Sequence, residues 1–594
     1  MVATQGEDDD AYVENLLQSM DWNAQVGQMA QIDINKLLND EKTGLQQDLL
    51  DHYIGTMGVG SVLNNNINKY WTIQEFRDAL LQIQATAKKF DRPPVIWGLD
   101  SVHGANYLPN TITTPQPLNL AATFNTTLSY QAGIWASRDT RRAGINWLFS
   151  PLLGISWNPI WSRVYETFGE DPVLVGSMAL AMTQGIQEVD DSSGIVPSRA
   201  AACGKHWVGY SIPHNGHDRA PSWVPIRHLY QYFLPPWKRV LPHILTVMES
   251  YTEIDGVPNA ANRQTLQTLL RNEMGFQGML VTDYHEIFNL FEWHHTAKDR
   301  TAALRQSLQE GSVDMSMIAN EPDDFFAAMQ TLQNATSFAK RVETSARRVL
   351  RLKKELRMFE ESFNMTNTED NSGPSEEDLQ AALQMTRQSI ILAENNNDAL
   401  PLNTEEPLKI LLTGPTSNSL SFQSGGWTGK WQGVDSNRED EWFHFGSTIH
   451  SALHMTSENW EVTYECGVDI LGHDCQEDDG AGELQHEQHS NENAGVMGTI
   501  KGWVGWNDED QDFPSIDSAM NTAADSDVVI VCVGEENYTE KPGDIRSLQL
   551  PSGQIELVVG LRQASPDAKI LLVYFGGRPR LLAEMVVSNN QTMK

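Results

Sequence analysis

The run Gly278-Met279-Leu280-Val281-Thr282-Asp283-Tyr284 places a carboxylate where chemistry is to be expected. A short apolar stretch stops abruptly at Asp283, and an aromatic ring follows at once. In a βα barrel, strands that end this way deliver catalytic groups to the carboxyl-end face. A carboxylate beside an aromatic wall suits sugar chemistry, where an anion attacks or stabilises an oxocarbenium-like centre. Taken alone, the same residues read equally well as a strand followed by an Asp helix cap. Other strand ends tip the balance. Asp100 closes Pro94 to Leu99, Lys205-His206 follows the apolar flank Ala201-Ala202-Cys203, and Tyr251 closes the run from Leu245.

These groups need a scaffold, and the chain supplies a repeating one. From about Val13 to Phe359, apolar strand-like runs alternate with amphipathic segments such as Leu128 to Ala143 and Arg300 to Gln309. Alternation of this kind predicts a mostly parallel sheet wrapped by helices, and the polar strand ends predict a barrel. A basic helix over Val342 to Glu360 closes this first domain, placed at residues 10–360. Residues 361–376 are polar and aperiodic and read as a linker. A second αβ unit, residues 377–594, carries strands at Leu408 to Thr413, Trp460 to Glu465, Asp527 to Val533 and Ile570 to Phe575. Its helices are expected at Glu377 to Ala393, Ser447 to Met455 and Gln554 to Gln563, giving an open parallel sheet with its crevice at the strands' carboxyl ends. His473 to Glu492 reads as an exposed acidic insertion.

Bulk properties narrow the field. A chain of 594 residues exceeds one core, so two or more domains are required. The formal net charge of -36 repels nucleic acid and anionic membranes, and fits a soluble enzyme acting on neutral substrates. No apolar run is long enough to span a bilayer, and the polar start Met1 to Asp10 is not a signal peptide. Cys203 and Cys532 sit in apolar contexts as buried thiols. Cys466 and Cys475 could close a small loop, although spacing alone leaves that pairing open, and none of the four has metal-ligand spacing. Sequons stand at Asn125, Asn334, Asn364, Asn537 and Asn590.

Seven landmarks in order resemble glycoside hydrolase family 3, in its two-domain β-glucosidase and exo-β-glucanase branch. They are Gly98 to Gly104, Arg163 to Pro172, Gly204-Lys205-His206-Trp207, Val247 to Tyr251, Gly275 to Tyr284, Ser424-Gly425-Gly426-Trp427, and Gly534 to Glu540 with Gly543-Asp544. The resemblance implies a (β/α)8 barrel-like first domain, an αβ sandwich of six strands as the second, and a site between them. It puts Asp283 at the nucleophile position and Glu535 at the acid/base position. Glu536 and Glu540 compete for the latter role, with Glu535 favoured by its place directly after the Val529 to Gly534 strand. Asp100, Arg163, Lys205, His206 and Tyr251 match positions that hold the innermost sugar or orient the nucleophile, and Met248 lies near them. Trp427 and Tyr284 match the walls that clamp the next sugar. An alternative for Arg163 is a structural ion pair with Glu166 or Asp171. The branch of N-acetylhexosaminidases is disfavoured, because Lys205-His206 runs on into Trp207-Val208-Gly209-Tyr210.

The expected activity is that of a retaining exo-acting β-D-glucosidase on β-glucosides or β-glucan oligosaccharides. It requires no organic cofactor. A β-xylosidase with the same machinery and a non-catalytic carbohydrate-binding protein are the alternatives. A nucleotide-binding αβ protein is disfavoured, because no glycine-rich phosphate loop follows a strand. The resemblance also implies an extracellular, lysosomal or vacuolar protein, a second domain cut short at its C-terminus, and an unmodified Asn537.

Overall fold

The computed structural model describes residues 7–190, 194–196, 198–360, 373–475 and 516–582. Eight short parallel strands form the first sheet: β1 Ala30–Asp33, β2 Ser61–Leu63, β3 Ile96–Leu99, β4 Trp147–Leu148, β5 Ala201–Trp207, β6 Thr246–Glu249, β7 Met279–Val281 and β8 Ser316–Met317. Their order is β7-β6-β5-β4-β3-β2-β1-β8, and a parallel bridge from Val281 to Met315 nearly closes the ring. These strands are buried from end to end, which is why they read as unbroken apolar runs rather than alternating ones. The barrel interior is packed by Trp147, Phe149, Met248, Met279, Val281, Met315 and Met317.

Helices wrap the ring where the amphipathic segments predicted them, with shifted ends. Leu128 to Ala143 is the helix Thr126–Arg142, begun by the Asn125 side chain accepting from the Thr127 amide. The closing basic helix runs Thr336–Glu355. The segment from Arg300 is helical over Arg300–Arg305 and continues as a wider turn over Gln306–Glu310.

One carboxylate ties the closing edge of the barrel together. Asp314, just before β8, accepts from the Leu280 amide of β7 at 3.0 Å and from Arg271 Nη2 at 2.6 Å. Arg341 and Arg348 of the closing helix grip its other oxygen. Asp314 is fully buried, yet the guanidiniums of Arg348, Arg271 and Arg341 outweigh the effect of burial and lower its pKa to about 2.

The second unit begins with the helix Glu376–Ser389 and holds four parallel strands among the described residues. They are β9 Leu408–Thr413, β10 Trp460–Glu465, β11 Val528–Gly534 and β12 Lys569–Phe575, in the order β10-β9-β11-β12. Helices Ile449–Thr456, Ile516–Ala524 and Ser552–Ala564 connect or cover them. Of the linker and the acidic insertion, residues 361–372 and 476–492 lie outside the described residues, as do the sequons at Asn364 and Asn590. Cys466 and Cys475 are disulfide-bonded, with Cα atoms 6.1 Å apart, while Cys203 and Cys532 are free and buried. Among the described residues no helix is long and apolar enough to cross a membrane.

Candidate active site at the junction of the two units

The carboxyl ends of β3, β5, β6 and β7 converge, and four of the expected residues meet there. Asp100 leaves β3 and is ion-paired with Lys205 Nζ of β5. His206 Nε2 lies 3.4 Å from Asp283 Oδ2, just beyond β7. The other Asp283 oxygen accepts from the Tyr284 amide at 2.7 Å, and the Asp283 amide donates to Glu249 Oε1 at 3.2 Å. Lys205, His206 and Asp283 are all buried. A buried polar cluster of this kind is costly unless a polyol completes its hydrogen bonds.

Arg163 enters from the loop after β4. Its guanidinium forks onto Glu166 with bonds of 2.9 and 2.8 Å, so the structural pairing with Glu166 is present. Its remaining Nη1 reaches Glu540 Oε1 of the second unit at 3.2 Å. Asp171 plays no part in this; its side chain caps the helix Pro172–Ile186 by accepting from the Val173 and Leu174 amides. Tyr251 is buried and lies beneath the guanidinium of Arg219, 3.7 Å from the ring centroid. Arg219 in turn pairs with Glu540 Oε2.

The two expected walls take different places. Trp427 stands with its ring 5.3 Å from Lys205 Nζ, beside the Asp100 pair. Its carbonyl accepts from Asn106 of the barrel at 2.5 Å. The loop that carries it needs both preceding glycines. Gly425 has φ +77°, and a Cβ on Gly426 would collide with the Tyr538 carbonyl and the Tyr165 hydroxyl. Tyr284 is half-buried and packs with Trp161, Val164, Tyr210 and Tyr251, its hydroxyl held by Asn320 at 2.8 Å. Met248 is a core residue of the barrel interior, with Tyr284 packed against the same cluster.

Glu535 does not join this group. Its Oε2 accepts from the hydroxyls of Tyr538 and Tyr574 at 3.0 and 3.2 Å and from the Gly577 amide at 3.1 Å. Its Oε1 pairs with Arg578 and Arg580 at 3.3 and 3.2 Å. All five partners belong to the second unit. Glu535 also lines a broad groove of about 2580 Å³ whose lining includes neither Asp283 nor Glu540. The physical reason is the direction of the chain: β11 ends at Gly534, so Glu535 stays against the sheet edge, and only the loop beyond it crosses to the barrel. Glu540, weighed in the sequence as a competitor, is the carboxylate that this loop delivers.

The electrostatics follow from burial and the surrounding cations. Burial and the Glu540 charge raise the pKa of Asp283, against the pull of Arg163 and Lys205. Burial works on Glu540 too, but Arg219 and Arg163 outweigh it and hold that carboxyl below the usual range. His206 is pushed well down by burial and by the cations Arg163, Lys205 and Arg219, so it is a neutral imidazole. Glu249, which accepts from the Asp283 amide, is pushed well up by burial and by Glu286 and Asp283.

The sequence left several of these groups unnamed. Arg219 and Asp218 lie in an irregular polar loop after β5, where no periodicity marks them. Asp218 accepts from the Tyr210 hydroxyl at 2.7 Å and from Trp161 Nε1 at 3.0 Å, and its amide donates to Asp544 at 2.8 Å. Glu249 lies inside one of the seven landmarks, but nothing local distinguishes a buried acid from an exposed one.

Two family models cover most of the chain. The glycosyl hydrolase family 3 N terminal domain matches residues 22–352, and the family 3 C-terminal domain matches residues 390–593. A lysosomal beta glucosidase of Dictyostelium discoideum is 33% identical, over 96% of this chain and 67% of its own length. A beta-xylosidase of Formosa agariphila is 24% identical, over 86% and 65%. The exo-1,3/1,4-beta-glucanase of a Pseudoalteromonas species superposes with a TM-score of 0.79 at 22% identity, covering 98% of this chain and 66% of that one. The chain thus spans about two thirds of the length of these relatives. Matched in both halves, it belongs to glycosyl hydrolase family 3 and is a glycoside hydrolase.

Proposed function

We propose that this site hydrolyses terminal, non-reducing β-D-glucosyl residues of β-glucosides or short β-glucans with net retention. Asp283 is the nucleophile and Glu540, rather than Glu535, the acid/base. The observation that carries this reading is that Glu540 crosses from the second unit to pair with Arg163 and Arg219 of the barrel, beside the buried Asp283, Lys205 and His206, while Glu535 keeps to its own unit.

In the first step an Asp283 carboxylate oxygen bonds to the anomeric carbon while the glycosidic C–O bond breaks, and the Glu540 proton goes to the departing oxygen. In the second, Glu540 takes a proton from water, the water oxygen bonds to the anomeric carbon, and Asp283 leaves. Asp283 is raised and Glu540 lowered, the reverse of the order that the first step needs. A sugar that draws Arg163 toward its hydroxyls weakens the hold on Glu540. Lys205 and the neutral His206 then favour the ionised nucleophile. Trp427, beside Lys205, offers an indole wall to the sugar.

The test compares Asp283→Ala, Glu540→Gln and Glu535→Gln on a 2,4-dinitrophenyl glucoside and an alkyl glucoside. Loss of Asp283 should cost about four orders of magnitude or more on both. Glu540→Gln should cost about 10²–10⁴-fold on the alkyl glucoside and little on the activated one, which needs no proton. If Glu535→Gln shows that pattern and Glu540→Gln does not, the acid/base assignment is wrong. NMR of the first-formed anomer reports retention.

β-Xylosidase action is the second reading, supported by the resemblance to the Formosa agariphila beta-xylosidase. Comparing nitrophenyl glucoside with nitrophenyl xyloside separates the two. A lysosomal location is proposed from the Dictyostelium discoideum relative's name.

A further inference from the structure

The backbone at Glu540 is strained. It sits at φ 57° and ψ -140°, close to a region that residues other than glycine rarely occupy. Such a conformation persists only where the surroundings impose it, so something must hold the loop on both sides of the residue. Within the loop, a short turn follows at once: the Gly543 amide donates to the Glu540 carbonyl at 2.9 Å, and the Asp544 amide to the Lys541 carbonyl at 3.0 Å. On the barrel side, Asp544 accepts from the Asp218 amide and Arg219 grips the Glu540 carboxylate. One more contact crosses the gap. Lys541 Nζ lies 4.2 Å from the ring centroid of Trp293.

Trp293 is not an isolated surface ring. It ends the helix Glu286–Glu292, which starts three residues after Asp283. Its indole stacks on the imidazole of His294, with centroids 5.0 Å apart and planes at 21°. His294 is pinned between Glu286 at 2.8 Å and Glu253 at 2.9 Å, and these carboxylates overcome burial to raise its pKa. The Glu286 amide donates to the Asp283 carbonyl at 3.3 Å. The segment behind the nucleophile therefore carries, on a rigid base, the aromatic face that receives the residue next to Glu540.

We propose that Trp293 and Lys541 form an interdomain latch that sets the position of Glu540 over the site. They are positioning residues, and the proposal rests on Glu540 being the acid/base. A cation over an indole face is attractive and tolerant of small shifts, so it restrains the loop without adding a competing charge pair beside Glu540.

The test measures kcat/KM for methyl β-glucoside and 2,4-dinitrophenyl β-glucoside with the full chain and with Lys541→Met, Lys541→Arg and Trp293→Ala. Thermal melts show which variants fold, and Lys541→Met keeps the apolar stem should Trp293→Ala misfold. A misplaced acid should lower the methyl glucoside rate about tenfold or more and the dinitrophenyl rate less than about threefold. Lys541→Arg, which also stacks on indole, should restore both rates to within about threefold. Equal losses on the two substrates, or no loss with Lys541→Met, overturn the latch. Glu540→Gln in the same assay separates the failures. If it lacks the leaving-group dependence, the acid/base reading falls and the latch with it. If it shows the dependence and Lys541→Met does not, only the latch falls.

Discussion

At the scale of single residues, the site is an arrangement of charges in which no group acts alone. Arg219 is the residue that couples the most of it, lying on Tyr251, pairing with Glu540 and standing 3.8 Å from Asp218. Its charge lowers the Glu540 carboxyl, so its removal has a predictable sign. Arg219→Met should make the Asp283–Glu540 pair bind its protons more tightly. Both limbs of the kcat/KM profile should then move to higher pH, by about one unit or more. A pH–rate series on an activated glucoside checks this, and a shift to lower pH would contradict the charge assignment. Asp283, Asp100, Lys205 and His206 were legible because each follows an apolar run at or near the carboxyl end of a strand. Glu540 was harder, because three glutamates follow one strand within six residues and only the path of the loop separates them.

Elements explain why these side chains arrive together. Parallel strands of two to seven residues, each ending at the same rim, present their last side chains to one space. The ring depends on its closing edge, where β7, β8, the turn bearing Arg271 and the closing helix all meet Asp314. Asp314→Asn would leave three guanidiniums facing a neutral amide in the core. We expect a loss of about 3–5 kcal/mol, measurable by denaturant unfolding. The linkage sign is definite. Asp314 has a pKa of about 2 in the folded chain, below the ordinary carboxyl value. Its contribution is therefore complete above about pH 4 and is lost as pH falls toward 2. The wild-type chain should lose stability over that window more steeply than Asp314→Asn.

At the scale of the whole molecule, the candidate site draws on both units, which share a seam. Gln116 donates to the Gly426 carbonyl at 3.1 Å, Tyr165 to the Tyr538 carbonyl at 2.8 Å, and Asn65 to the Gly429 carbonyl at 3.2 Å. Arg578, buried in the second unit, reaches the Ile160 carbonyl of the barrel at 2.6 Å while pairing with Glu535. Glu535 thus acts in the structure through Arg578, as part of the seam. Arg578→Ala should cost about 2–3 kcal/mol by removing the seam bond to Ile160 and one of the two guanidiniums that hold Glu535. Calorimetry should show the second unit melting earlier than in the wild type, with activity lost in that earlier step. A single unshifted transition would assign the seam's strength elsewhere.

By itself the sequence determined the periodicities, and with them the alternating strands and helices, the boundaries of β9 and β10, and the strand-end polar groups. These are local properties: apolar run length and turn composition act over a few residues, so they can be read in order. Tertiary structure alone decided that Glu540, of the three glutamates after β11, pairs with Arg163 and Arg219 of the barrel, and that Glu249 stands behind the Asp283 amide. It also decided that Cys466 and Cys475 are joined. Each of those outcomes depends on where a loop carries a side chain after the strand has ended, and on charges from distant segments meeting in a buried volume. No window of neighbouring residues contains that information.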